Sequence, residues 1–130
     1  MEVLKRQIKY TPVDLDPIEM TLLSREEYEL YEHNISLIDD FWWLRSPGYI
    51  QGSAARVNPD GSLYNCSVDY SYAAVRPALK FNAQNLRIAD KFKFYEYEWT
   101  VIAEGIALCD DVFCRMVFRE VWQAPDANDF

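Results

Sequence analysis

Basic residues are in short supply in this chain, with 13 Lys and Arg against 21 Asp and Glu and a formal net charge of −8. That balance argues against a general nucleic-acid binder, which needs a basic footprint, and no direct nucleic-acid contact is expected. An acidic surface keeps a small protein soluble and can also draw it to a basic groove on a partner. Histidine occurs once, as His33 at a predicted helix end, where it reads as a solvated or capping residue rather than a base. The three cysteines, Cys66, Cys109 and Cys114, cannot all pair within one chain, and their spacing matches no zinc signature. The 4 glycines form no phosphate-cradling loop. The paired carboxylates Asp39-Asp40 and Asp110-Asp111 are adjacent, so they diverge in a strand and read as turn and surface residues. These absences leave no catalytic constellation, so no enzyme activity, metal or cofactor is expected. No stretch approaches the roughly 20 apolar residues that span a bilayer, and no apolar h-region follows the first residues. A reducing cytoplasm with free thiols is the expected compartment.

What the chain does have is aromatic surface: 4 Trp, 9 Tyr and 7 Phe in 130 residues, half of them hydrophobic. That is enough apolar surface for a packed core, so residues 1–130 are read as one domain without internal repeats or linkers. A signature core spans 20–80, a β-rich segment 90–122 and a frayed tail 124–130.

Taken in order, 3–10 alternates loosely as an edge strand, and Pro12 and Pro17 mark a connection. Residues 20–23 read as a short buried strand leading into a helix of about ten residues. Ser24 and Glu27 have capping-box spacing, Leu23 and Tyr28 stand at hydrophobic-staple positions, and Leu30 and Tyr31 continue the apolar face. Asn34 is the expected C-cap. Phe41, Trp42, Trp43 and Leu44 form a buried strand, followed by Arg45 as a buried structural arginine. Gly52 to Ala55 allows close backbone approach. Asn58-Pro59-Asp60-Gly61 has the residues of a type I hairpin turn, which makes Asp60 a turn residue rather than a calcium ligand.

From 64 to 72 the residues are Tyr, Asn, Cys, Ser, Val, Asp, Tyr, Ser and Tyr, a poor core but an adaptable contact surface. Tyr64, Asn65, Ser67, Asp69, Tyr70 and Tyr72 are the candidate ligand-binding residues. Val75-Arg76-Pro77-Ala78-Leu79 re-enters the core, with Pro77 at an edge or ladder end. Further on, strands alternate with period two; a phase slip at Phe94/Tyr95 predicts a bulge or tight turn. Turns are expected at Glu104-Gly105 and Asp110-Asp111, with Cys109 and Cys114 as buried free thiols.

Four elements in order carry a resemblance: 22–28, with its Leu-Leu-Ser-x-Glu-Glu-Tyr helix start; Trp42 to Gly48; Val57 to Gly61; and Val75 to Leu79. Together they resemble a domain of unknown function common in bacterial and phage proteins, over about 60 residues. Residues 94–108 resemble a segment that opens many members, here placed after the signature. The family is similar to the C-type-lectin-like fold shared by formylglycine-generating enzymes and the variable proteins of diversity-generating retroelements. The resemblance implies an α+β domain with a twisted antiparallel sheet, one or two flanking helices and a long irregular segment. It gives Trp42, Trp43, Arg45, Arg76 and Pro77 structural roles. No reaction follows from it, and neither the enzymes' cysteine pair nor a calcium-lectin loop can be placed on this chain. Diversified positions of the retroelement proteins precede the Val-Arg-Pro segment, where 64–73 has their residue palette.

The expected function is a non-catalytic binding module of phage or prophage origin, contacting a protein or glycan through 64–73. The alternative is a small acidic inhibitor of a host defence protein such as a CRISPR nuclease. Phage origin adds a place in the particle to the cytoplasmic expectation. No membrane contact is expected.

Overall fold

The computed structural model describes residues 15–69, 71–82 and 85–118. The expected strand at 3–10 and the frayed tail lie outside them, as do Tyr70 and Pro12. The described chain is α+β, mostly antiparallel sheet with one short helix. Its elements are β1 (Asp16–Thr21), α1 (Arg25–Tyr31), β2 (Trp42–Pro47), β3 (Ser53–Val57), β4 (Leu63–Ser67), β5 (Tyr72–Val75) and β6 (Ala78–Asn82). They are followed by β7 (Lys91–Phe94), β8 (Tyr97–Ala103), β9 (Ile106–Cys109) and β10 (Cys114–Val117). One five-stranded sheet runs β1-β6-β9-β8-β7 and is antiparallel throughout. The other runs β10-β5-β2-β3-β4, with a single parallel contact between β2 and β5 at Trp42 and Ala74.

The helix begins where its capping residues sit. Ser24 Oγ accepts the Glu27 N–H at 3.0 Å, and Glu27 Oε1 accepts the Ser24 N–H at 2.8 Å. Leu23 and Tyr28 are buried together beside Trp42. After Tyr31 the helix tightens into a 3₁₀ turn, Glu32–Asn34, and the Asn34 amide donates to the Ile102 carbonyl of β8 at 3.1 Å. Leu30, expected on the apolar face, is exposed. Two positions past Tyr28 on a 3.6-residue period, it points to the far side of the helix.

The strand expected at 20–23 begins earlier, at Asp16, and is an exposed edge. Pro17 fits there because an edge strand can spare a donor. A register shift between Pro17 and Glu19 leaves Ile18 as a bulge. Leu22 and Leu23 are buried but have left the ladder, and the Leu23 carbonyl accepts the Arg45 N–H at 2.8 Å.

Adjacent strand residues face opposite ways, and β2 uses both directions. Trp42 and Leu44 enter a core shared by the helix and both sheets, with Leu23, Tyr28, Val57, Ala78, Ile102 and Leu108. Trp43 packs on the opposite side, edge-on to Phe118 at 5.5 Å, with its indole N–H on the Met116 carbonyl at 2.9 Å. Burying one indole removes roughly 150–250 Å² from water, on the order of 4–6 kcal/mol each. Ala73 and Ala74 lie beside these rings, small enough to leave them room. A third cluster, with Phe81, Phe92, Trp99 and Val101, covers the outer face of the first sheet.

Between β5 and β6 the chain passes from one sheet to the other through Arg76 and Pro77. Arg76 is buried; its Nε donates to the Cys109 carbonyl at 2.7 Å, and its guanidinium lies 5.0 Å from the Trp42 ring centre. The Pro77 carbonyl accepts the Cys109 N–H at 2.9 Å. The fully buried arginine is therefore Arg76, whereas Arg45 is half-buried and pairs with Glu27 at 3.1 Å. Glu27 also meets Lys80 of β6 at 3.2 Å, so one carboxylate ties the helix start to both sheets. Within 52–55, where close approach is expected, Ser53 lies tight against Gly48 and Ala54 and Ala55 are fully buried, while Gly52 itself stands in open surroundings at φ +81°. Among the described residues no helix is long and apolar enough to cross a membrane.

Burial pushes the Glu27 carboxyl up, but the Ser24 N–H and the Arg45 and Lys80 cations outweigh it and hold the group below its ordinary 4.5. A folded-state value below the unfolded one stabilises the fold fully above pH 4.5, and that share is lost as pH falls through the lower folded value. Glu27→Gln is therefore expected to cost about 1–2 kcal/mol at neutral pH. In urea titrations the gap between the proteins should narrow below pH 4.5; a constant gap would remove the ionic contribution.

The phase slip at 94/95 is a two-residue hairpin turn in which Tyr95 (φ 52°) and Glu96 (φ 65°) are both left-handed. Neither residue favours that region, where Asn-Gly is preferred. Replacing the pair by Asn-Gly is expected to raise stability by about 1 kcal/mol and Tm by several degrees. A lower Tm would mean that the Tyr95 contact with Phe94, at 4.3 Å, outweighs the strain.

Candidate functional site

The Tyr/Asn/Ser-rich stretch is divided by the fold. Its first half is β4, the edge of the second sheet, and its second half enters β5, separated from β4 by β3 and β2. Tyr64 pairs with Arg56 and Arg56 with Trp43, which places Tyr64 on the Trp43 face. Tyr72 has the parity of Ala74, which packs with Trp42 on the opposite face. The two tyrosines are 57% and 59% exposed but belong to different surfaces. Between them Val68 is buried in the Trp43 cluster. The described residues of 64–73 therefore do not form one continuous surface, because side chains alternate and the chain crosses the sheet after Ser67.

Around β4 the structure assembles residues that are distant in sequence. Arg25, the first helical residue, donates from Nη2 to the Asn65 side-chain oxygen at 3.1 Å and from its backbone N–H to Ser46 Oγ at 2.8 Å. Its guanidinium stands 4.5 Å from the ring centre of Tyr49. Tyr49 and Ile50, 82% and 73% exposed, form the tip of the 48–52 loop. That tip is held by the Gly48 N–H on the Ser53 carbonyl at 2.8 Å and the Ser53 N–H on the Ile50 carbonyl at 3.1 Å. Two large, exposed side chains are thus presented on a hydrogen-bonded loop beside Asn65.

On the other face of β4, the Arg56 guanidinium lies 4.0 Å from the Phe41 ring centre and 5.5 Å from that of Tyr64. At the near end of the strand, the 58–61 turn closes with the Gly61 N–H on the Asn58 carbonyl at 2.8 Å. Asp60 there accepts the Ser62 hydroxyl and N–H, which hold its carboxyl below the usual range. At the far end, the Asp69 N–H donates to Ser67 Oγ at 3.2 Å.

No protein-family model, characterised protein or solved structure matches this chain.

Two other polar groupings stand apart from β4. Lys91, Thr100 and Asp110 close on one another at 2.6–3.0 Å as a clasp joining β7, β8 and the turn after β9. All three thiols are free, and burial pushes that of Cys109 up to about 11. Cys114, expected to be buried, is exposed. Among the described residues no three His, Cys, Asp or Glu side chains form a group that could hold a metal ion.

Of the residues singled out in the sequence, Tyr64 and Asn65 lie on β4, and the fold adds Arg25, Phe41, Tyr49, Ile50 and Arg56 around them. Tyr49-Ile50 did leave a signal, being two apolar residues between Pro47-Gly48 and Gly52 where a turn must reach solvent. A Cβ at Gly48 would collide with the Ser53 hydroxyl and stand 3.0 Å from Asn65 Cβ. Gly48→Ala is expected to cost about 1–3 kcal/mol and to shift β4 and loop amide resonances. Unchanged Tm and spectra would show that the loop is not braced against β4.

Proposed function

We propose that the chain is a non-catalytic binding module that engages a protein or glycan ligand through β4 and the 48–52 loop. The reading extends to a C-type-lectin-like scaffold and a phage or prophage origin, which rest on the Trp-Trp-Leu-Arg-Ser-Pro-Gly and Val-Arg-Pro-Ala-Leu resemblance. In support, the two signature halves lie side by side as β2 and β5, where a fold-defining signature belongs. The observation that carries the binding role is the exposed Tyr49-Ile50 tip, braced through Arg25 to Asn65. Exposed aromatic and apolar anchors on a pre-organised loop contribute contact area at low entropic cost. The surface acids add a second possible contact: Glu26, Glu29 and Glu32 are all exposed along the helix. A host groove lined with Lys or Arg would meet that face if the chain acts as an inhibitor of a defence protein.

Affinity capture from host lysate and on glycan arrays would separate these surfaces. Tyr49→Ala/Ile50→Ala is expected to lose the ligand held by the wild type, and Tyr72→Ala to keep it. Undiminished capture by the double variant would sink this site. Loss only on reversing Glu26, Glu29 and Glu32 to Lys would move the contact to the helix and to the inhibitor reading.

A further inference from the structure

Among the described residues the two sheets end in four edge strands, β1, β7, β10 and β4. Exposed edges invite pairing with other chains, and proteins blunt them with proline, bulges and charge. β1 carries Pro17, Asp16, Glu19 and a bulge at Ile18. β7 carries Lys91 and Lys93, and β10 carries Arg115. β4, Leu-Tyr-Asn-Cys-Ser, has no charge, no proline and an unbroken register from Leu63 to Ser67.

The ladder shows which backbone groups β4 turns outward. The Asn58 N–H donates to the Ser62 carbonyl and the Val68 N–H to the Gly52 carbonyl. In an antiparallel pair, bonded and non-bonded positions alternate. Those two bonds therefore put Tyr64 and Cys66 opposite Arg56 and Ala54 in bonded pairs, and Leu63 and Asn65 in non-bonded ones. Leu63 and Asn65 direct their N–H and C=O groups away from β3, along the edge. Their side chains point to the helix side, where Leu63 packs on the core and Asn65 is held by Arg25. The edge is thus braced, and among the described residues no further strand pairs with it.

Charge selects the occupant. Asp60 and Asp69, both exposed, bracket β4. Two copies pairing antiparallel about Asn65 would bring Asp60 of each near Asp69 of the other, in molecules already at −8. Like charges so placed oppose self-pairing, whereas basic residues at the ends of an incoming strand would be attracted. We propose that β4 is a strand-addition site for an extended segment of a partner protein, uncharged and β-branched at its centre and basic at its ends. This rests on the binding role above and narrows its ligand to protein.

The probe is the peptide acetyl-Lys-Lys-Val-Thr-Val-Thr-Val-Lys-Lys-amide, compared with its twin bearing Glu in place of Lys. Each is titrated into the full chain with amide exchange followed by NMR. The basic peptide is expected to slow exchange at Leu63 and Asn65 and to bind at least about tenfold more tightly than the acidic twin. Asn65→Pro removes one outward donor without touching the β3 ladder and is expected to abolish binding. Asn65→Ala, which keeps the N–H but loses the Arg25 brace, is expected to weaken binding without abolishing it. Should Asn65→Pro not fold, the wild-type exchange pattern decides. No slowing at Leu63 and Asn65 at millimolar peptide, equal binding of both peptides, or a dimer that protects these amides without peptide would each overturn the proposal. If capture in the previous experiment still depends on Tyr49 and Ile50, strand addition alone falls and the binding module stands.

Discussion

The placement of the two sheets depends on one buried cation. The Arg76 guanidinium lies against Trp42 of one sheet while its Nε donates to Cys109 of the other, at the point where the chain crosses between them. Burying a guanidinium is unfavourable, and desolvation pulls its pKa down to about 10 despite the nearby Asp110 and Asp111. Such a group stabilises a fold weakly, and here it is met by the Cys109 carbonyl and the Trp42 ring. Glu27 makes the complementary tie at the surface, joining the helix cap to Arg45 of β2 and Lys80 of β6.

With the sheets so joined, β2 is enclosed on both faces and its neighbours are set. β3 and β4 extend from it as a hairpin, and β4 is left at the rim. The helix start, held by its cap, brings Arg25 over that rim, where it contacts Asn65 and Tyr49. The candidate site therefore stands on a strand and a capped helix, with only the 48–52 tip in a loop. A surface built this way loses little freedom on binding.

Much of the fold was legible because its signals are local. The capping box, the Asn58-Pro59-Asp60-Gly61 turn, the buried Trp42-Trp43-Leu44 strand and the Glu104-Gly105 hairpin each depend on a few neighbouring residues. The misreadings share a cause. Leu30 is apolar, yet among the described residues no neighbour covers its side of the helix. Leu22 and Leu23 were assigned to a strand by their burial, yet their backbone pairs elsewhere. Arg45 and Arg76 are alike in sequence, but only Arg76 occupies the crossing between sheets. For the site, composition joined Tyr64 to Tyr72, because a string of residues carries no record of the strands inserted between its halves.

By itself, then, the sequence determined the start of the helix, the turn at 58–61, the burial of Trp42, Trp43 and Leu44, and the acidic balance of the chain, since these follow from propensity, period and charge count. The tertiary structure decided which strands are edges, which arginine is enclosed, and that Arg25, Tyr49 and Asn65 meet. Those outcomes depend on contacts between residues far apart in the chain. Their energies are set by what each side chain meets after the sheets close, and no local pattern encodes that.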